Sequence, residues 1–168
     1  MVGARIRAAL GSVLFLVIAP GTVAGLLPWF LTNWESTGPW VGFELLGVGL
    51  IVAGVGVLLH AFARFALEGT GTPAPVAPTE QLVIGGLYRY VRNPMYLAVA
   101  ATIVGQALLL GRAILLAYAL VFMAAVTAFV KLYEEPTLSE RFGTQYEEYR
   151  QAVPGWWPRV RRHQRRAR

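Results

Sequence analysis

The stretch PMYLAVAATIVGQALLLGRAILLAYALVFMAAVTAFVKLY, residues 94–133, decides the fold. It holds two apolar runs, and Arg112 is the one charged side chain between residues 94 and 130. A hydrocarbon core about 30 Å thick needs about 20 apolar residues in helical form. The stretch therefore predicts two membrane-spanning helices, residues 94–110 and 113–133, joined by a tight turn at Gly111 and Arg112.

Two further apolar runs precede this hairpin. Residues 9–31 and 41–66 are each long enough to span a membrane. The first contains Pro20 and Pro28, which predict a kink or a break because proline cannot donate to the preceding turn. The second is rich in glycine, which predicts close helix packing. We therefore expect an all-α, polytopic membrane bundle of about four transmembrane helices, forming a single domain over residues 1–168.

Composition supports a membrane protein and narrows its chemistry. Mean hydropathy is +0.53 and 14% of the residues are charged, against about 25% in soluble domains. The chain has no cysteine, which excludes disulfides, thiolate metal sites and a cysteine nucleophile. With His60 and His163 as its two histidines, a multi-histidine metal site is implausible and no metal is expected. The basic tail at residues 159–168 favours anionic lipid headgroups over nucleic acid as its partner.

The remaining segments are too polar to span. Residues 67–93 are rich in proline and glycine and predict a long irregular loop. Beyond Pro136 a helical period predicts an interfacial amphipathic helix over residues 137–151, with Trp156 and Trp157 at headgroup level. The apolar face of that helix consists of Leu138, Phe142, Tyr146 and Tyr149. Both termini, the loop and this helix then share the arginine-rich membrane face, which the positive-inside bias makes cytoplasmic.

Polar residues at that face indicate ligand binding. In the Arg92-Asn93-Pro94 run, asparagine is a favoured N-cap and proline a favoured first helical residue. That helix end, with Arg92 beside it, suits an anion such as a carboxylate, although an aromatic belt with anchoring arginines is the alternative. Glu134 and Glu135 follow the last span, where a cation would relieve their repulsion. That cation is an arginine or a ligand ammonium, unless the glutamates only favour the start of the next helix.

A third polar group lies on the second span. His60, Arg64 and Glu68 are spaced at i, i+4 and i+8, so they form one stripe near the cytoplasmic end. Ionisable groups at this depth usually face the bundle interior or a cavity, which makes these residues pocket candidates. The alternative is a snorkelling arginine paired with the glutamate. Together with the helix ends, they predict a polar cytoplasmic pocket that binds a zwitterion.

Two longer motifs resemble a known family. The segment LVIGGLYRYVRNPMY (residues 82–96), followed after the helical hairpin by EEPTLSERFGTQYEEYRQAVP (residues 134–154), is similar to the isoprenylcysteine carboxyl methyltransferase family and its phospholipid methyltransferase relatives. The resemblance covers residues 80–155 in the family's order. It implies an integral membrane enzyme that transfers the methyl group of S-adenosylmethionine to a lipophilic acceptor at the cytoplasmic face. The acceptor would be a carboxylate, amine or thiol of a lipid or small molecule.

The resemblance also implies site residues. Those that would line or hold the cofactor, with the glutamates taking its methionine ammonium, are Glu80, Gln81, Leu82, Val83, Tyr88, Asn93, Pro94, Met95, Tyr96, Glu134 and Glu135. The candidates for catalysis and for the acceptor side are Arg92, Arg64, Glu68 and His60.

The sequence departs from the family pattern at two positions. Asn93 stands where the family has a histidine, so a role that needs an imidazole proton is lost. Val130 stands where the prenylcysteine enzymes have a substrate-binding arginine, and Lys131 next to it points about 100° away on a helix. A prenylcysteine carboxylate is therefore disfavoured as the acceptor.

Two functions of other classes stay open at this point. A small four-span exporter usually needs an ionisable group in an early span, and residues 9–31 contain none. A non-catalytic membrane scaffold would use the basic tail to recruit lipids or partners.

Overall fold

The structure is a computed structural model that describes residues 2–38, 42–68 and 81–158. Within these residues, the side chains of 2–10, 12 and 65–68 are not described. The basic tail and residues 69–80 of the predicted loop lie outside the described residues, so the predictions for them stay predictions.

The described residues form seven α-helices. They are α1 (Val2–Gly21), α2 (Leu27–Thr32), α3 (Glu44–Glu68), α4 (Pro94–Leu110), α5 (Ala113–Phe129), α6 (Glu135–Phe142) and α7 (Thr144–Ala152). A first π-helical segment, Thr22–Leu26, joins α1 to α2, and a second, Val130–Glu134, joins α5 to α6. One 3₁₀ turn, Gly86–Arg89, precedes α4.

Three described stretches are long and apolar enough to cross a membrane, namely Val13–Thr32, Glu44–Arg64 and Ala113–Phe142. The α4 helix is shorter, with 17 residues, or about 25 Å at the usual helical rise. It lies at the centre of the bundle, where Ile103 and Ala107 have no exposed surface. The predicted all-α membrane bundle is confirmed, and α4 is packed among its other helices.

Glycines bring α3 and α4 into contact, as the sequence predicted. A Cβ atom added at Gly105 would lie 2.7 Å from the carbonyl oxygen of Gly47, and one added at Gly54 would lie 2.7 Å from that of Ala98. Real Cβ atoms do not approach oxygen so closely, so the two backbones can meet only because these side chains are absent.

The predicted tight turn forms at one end of the bundle. Gly111 caps α4 with φ of 66°, a left-handed conformation that glycine adopts without cost. The loop at residues 33–38 binds this turn, because the Thr37 N–H donates to the Leu110 carbonyl (3.0 Å) and Arg112 Nε donates to the Glu35 carbonyl (2.8 Å). The first residues of α4 and the helices α6 and α7 therefore lie at the opposite end.

The first span is not broken at its prolines, since the chain stays helical from α1 through the first π-helical segment to α2. Pro28 lacks an N–H and cannot donate to Val23 or Ala24, the carbonyls five and four residues before it. The Tyr118 hydroxyl donates to the Val23 carbonyl (2.8 Å), and Gln106 Nε2 donates to the Ala24 carbonyl (2.7 Å). Side chains of α5 and α4 thus replace the missing backbone donors and fix the first span to the hairpin.

The single interfacial helix predicted over residues 137–151 is wrong in its boundaries. The last span continues through the second π-helical segment into α6, whose first turn accepts Pro136 because an N–H is not needed there. Gly143, with φ of 53°, then separates α6 from α7. The apolar side chains of this region, predicted to face the membrane interface, line a cavity of the protein. They are Leu138, Phe142, Tyr146 and Tyr149.

Candidate functional site

A cavity of about 510 Å³ lies between α1, α4, α5 and the C-terminal helices. Its polar end is lined by Tyr88, Arg92, Asn93, Tyr96, Glu134, Glu135, Tyr146 and Tyr149. Its apolar end is lined by Phe15, Val23, Leu58, Phe62, Val99, Phe122 and Val126. Along the last span the lining runs from Glu134 to Phe122, which is about 18 Å at the helical rise. At the apolar end, Phe122 packs against the core cluster that contains Ile103 and Leu115.

Glu134 is the carboxylate that the structure leaves without a cation. It ends the second π-helical segment, an irregularity that often marks functional sites. Its Oε2 atom accepts a hydrogen bond from the Tyr96 hydroxyl (3.1 Å). No described arginine, lysine or histidine lies within 4.0 Å of this carboxylate. Because a half-buried carboxylate is costly without a partner, the site is complementary to a ligand cation.

Glu135, in contrast, already has cationic partners. Arg92 Nη1 donates to its Oε1 atom (2.7 Å) and to the Tyr146 hydroxyl (3.1 Å), and Arg150 Nη1 lies 3.9 Å from its Oε2 atom. The Arg92 Nε atom is buried and has no hydrogen-bond partner among the described residues. The polar end therefore combines a carboxylate that lacks a cation with a guanidinium N–H that lacks an acceptor.

Two buried tyrosines, Tyr88 and Tyr146, and the half-buried Tyr149 line the polar end. The Tyr149 hydroxyl donates to the backbone carbonyl of Tyr88 (2.7 Å). Burial raises the pKa of Tyr88, Tyr146 and Tyr149 above the usual value, and the Arg92 guanidinium partly opposes the increase at Tyr146 and Tyr149. These phenols therefore stay protonated below a pH of about 10. Any stability that they contribute is present below that pH and is lost only as the pH rises through the raised pKa values.

Asn93 occupies the predicted N-cap position, and Pro94 is the first residue of α4. The Asn93 side chain, however, does not cap the helix. Asn93 Nδ2 points away from the first turn and donates to the Gly155 carbonyl (3.1 Å). The first-turn N–H groups, those of Met95 and Tyr96, are therefore left without a side-chain cap at the cavity wall.

Most of the residues that the sequence proposed for the cofactor meet at this cavity. Those that line it are Leu82, Val83, Tyr88, Asn93, Pro94, Met95, Tyr96, Glu134 and Glu135. Gln81 is exposed and is not part of the lining, and Glu80 lies outside the described residues. The structure thus supplies the location of these residues, and their roles stay predictions.

The stripe on α3 is not brought to the cavity. A Cβ atom added at Gly86 would lie 3.1 Å from His60 Nε2 and 2.9 Å from Arg64 Nε, so both side chains flank this loop residue. Neither belongs to the described residues that line the cavity. The side chain of Glu68 lies outside the described part of the chain.

Sequence reasoning missed several lining residues. Phe15, Phe62 and Phe122 carry no motif, and an apolar face that meets lipid has the same pattern as one that meets a cavity. Val130 is buried and lines the cavity, whereas Lys131 is exposed, as their helical spacing predicted. This part of the cavity wall is therefore aliphatic rather than charged.

Comparison with known proteins shows a family. The model of a family described as phospholipid methyltransferase matches residues 43–145, which include α3, the hairpin and the Glu134-Glu135 pair. No significant match was found among curated proteins or among solved structures.

Proposed function

Because the chain belongs to the phospholipid methyltransferase family, we propose that it is an S-adenosylmethionine-dependent membrane methyltransferase with a lipophilic acceptor. The cofactor binds at the polar end of the cavity, and the acceptor occupies the apolar end. The observation that carries the proposal is that one cavity is lined both by Glu134, which has no cation among the described residues, and by Arg92, whose buried Nε has no hydrogen-bond acceptor among them.

These two groups fit the amino-acid moiety of the cofactor. That moiety carries an ammonium and a carboxylate on one carbon, so it needs one anion and one donor close together. Glu134 would accept from the ammonium, and the Arg92 guanidinium would donate to the carboxylate. Glu135 serves a different purpose in this assignment, since its bond to Arg92 Nη1 (2.7 Å) holds the guanidinium in place.

When bound, S-adenosylmethionine supplies an electrophilic methyl group on a sulfonium. The protein orients the two reactants and excludes water, which is the main contribution that methyl transfer requires of a site. The buried tyrosines of the polar end remain neutral and therefore add no charge that would compete with Glu134 for the ammonium. An amine acceptor must lose a proton, whereas a thiolate or carboxylate acceptor need not.

The acceptor is proposed to carry an apolar chain. Aromatic and aliphatic side chains of the apolar end offer no hydrogen bonds, so they favour a hydrocarbon group. The one described cation that lines the cavity, Arg92, is bound to Glu135, and Val130 supplies no second one. We therefore favour an acceptor whose reacting group is not a carboxylate.

The test is transfer of a labelled methyl group from S-adenosylmethionine to a lipid extract of the native membrane by the purified protein. We expect label in the organic phase, absent when the extract is omitted. Mass spectrometry of the labelled product and of co-purifying lipids then identifies the acceptor. An absence of transfer with native extract, under conditions in which the protein is folded, would contradict the proposal and favour a scaffold or an exporter.

We also propose that the polar end faces the cytoplasm. Arg92, Lys131 and Arg150 lie at that end, whereas Arg112 lies at the other, and positive charge favours the cytoplasmic side. Because the chain has no cysteine, single cysteines can be introduced without a background. A membrane-impermeant maleimide should label Ser36→Cys in intact cells and Thr144→Cys only after lysis. The reverse pattern would overturn this orientation.

A further inference from the structure

The C-terminal segment, residues 153–158, is fastened to the start of α4 by three hydrogen bonds. The Arg92 N–H donates to the Pro154 carbonyl (2.9 Å) and the Asn93 N–H to the Gly155 carbonyl (3.2 Å). Asn93 Nδ2 donates to the same Gly155 oxygen (3.1 Å). The approach is close, because a Cβ atom at Gly155 would lie 3.2 Å from an Arg92 guanidinium nitrogen.

Asn93 makes this bond in place of capping its helix. An asparagine at the N-cap normally accepts from the first-turn N–H groups, which is worth about 1 kcal/mol. Here the side chain is buried, with 7% of its surface exposed, and it donates to Gly155 instead. Asn93 thus lacks the local capping bond and instead connects the start of α4 to the C-terminal segment.

The fastened segment reaches the candidate cofactor site through Trp156. The indole ring lies 6.4 Å from the Tyr96 ring, centroid to centroid, and the Tyr96 hydroxyl donates to Glu134 (3.1 Å). No other described side chain donates a hydrogen bond to the Glu134 carboxylate. The orientation of Glu134 is thus coupled through Tyr96 and Trp156 to the bond between Asn93 and Gly155.

We propose that Asn93 is a positioning residue, which fastens residues 153–158 across the polar end so that Trp156 and Tyr96 hold Glu134 ready for the ligand ammonium. The fastening itself stands on the hydrogen bonds, and its effect on the ligand rests on the function proposed above.

The substitution Asn93→Asp separates the two possible roles of this side chain. Aspartate has the same shape and is an equally good N-cap, but it cannot donate to the Gly155 carbonyl when ionised. If Asn93 fastened nothing and only began a helix, the variant would behave as the wild type. We expect instead that S-adenosylhomocysteine binds roughly tenfold more weakly, and that KM for the cofactor rises more than kcat falls.

A second measurement follows the fastening without any ligand. Hydrogen exchange of the Arg92 and Asn93 amides, both of which donate to the C-terminal segment, should become faster in Asn93→Asp. Trp156→Ala should weaken ligand binding as Asn93→Asp does, whereas Trp156→Phe should keep most of the wild-type affinity. Trp157→Ala, at a side chain with 84% exposure, should leave the affinity unchanged.

Unchanged exchange at these two amides in Asn93→Asp would overturn the proposal. If the wild type binds S-adenosylhomocysteine, equal affinity of Asn93→Asp for this ligand would overturn it as well. If the wild type binds no S-adenosylhomocysteine, the proposed function fails. The exchange measurement then still decides whether Asn93 fastens the segment.

Discussion

Replacing Glu134 by glutamine should reduce the affinity for S-adenosylhomocysteine by roughly 30-fold or more. Removing one partner of a buried, hydrogen-bonded charge pair costs about 2–5 kcal/mol, and each 1.4 kcal/mol is a factor of ten. Glutamine keeps the volume of the side chain and still accepts from Tyr96, so the loss reports the charge alone. Isothermal titration of the purified protein in detergent measures the effect.

The matched control is Glu140→Gln, which removes the same charge from the exposed side of α6. Its affinity should equal that of the wild type. Equal affinities for Glu134→Gln and the wild type would remove Glu134 from the site, whereas a similar loss in both variants would point to the net charge of the protein.

Replacing Gly54 by leucine should prevent α3 and α4 from packing. A Cβ atom at this position would meet the carbonyl oxygen of Ala98 at 2.7 Å and the amide nitrogen of Thr102 at 3.2 Å. Backbone atoms cannot rotate away as side chains can, so the cost should reach about 3 kcal/mol. The midpoint of thermal unfolding in detergent should fall by roughly 6–12 °C.

Gly56→Leu is the control for this change, because it lies in the same helix and a Cβ atom there would meet nothing within 4 Å. Its unfolding midpoint should stay the same or rise, since leucine favours helix more than glycine does. If both variants lost the same stability, the cause would be the helix itself rather than the contact with α4.

The hairpin was predictable because its signals are local. Apolar runs, Gly111 as a helix end and Pro94 as a helix start each depend on a few neighbouring residues, and α4 begins and ends where the sequence placed it. The close contact of α3 with α4 was also predictable, since glycine in an apolar helix has few other uses.

The differences arise where distant residues decide. Whether the helix breaks at Pro28 depends on other donors for the carbonyls that lack a backbone N–H partner. These donors are Tyr118 and Gln106, which lie more than 75 residues away in sequence. The apolar period after Pro136 predicts a membrane-surface helix, but such a period cannot distinguish a face that meets lipid from one that lines a cavity.

The candidate site was predictable only in part for the same reason. Sequence identified Glu134 and Glu135 as a pair in need of a cation, but it could not tell which of them Arg92 binds. In the structure Arg92 binds Glu135 (2.7 Å), and Glu134 has no cation among the described residues. The bond from Asn93 to Gly155 joins residues 62 positions apart and had no signal in either segment.

A crystal structure of the protein with S-adenosylhomocysteine tests the central claim most directly. The account predicts the ligand at the polar end of the cavity, with its ammonium within hydrogen-bond distance of the Glu134 carboxylate and its carboxylate facing Arg92 Nε. A ligand bound elsewhere on the protein, or a polar end that stays free of ligand at saturating concentration, would contradict it.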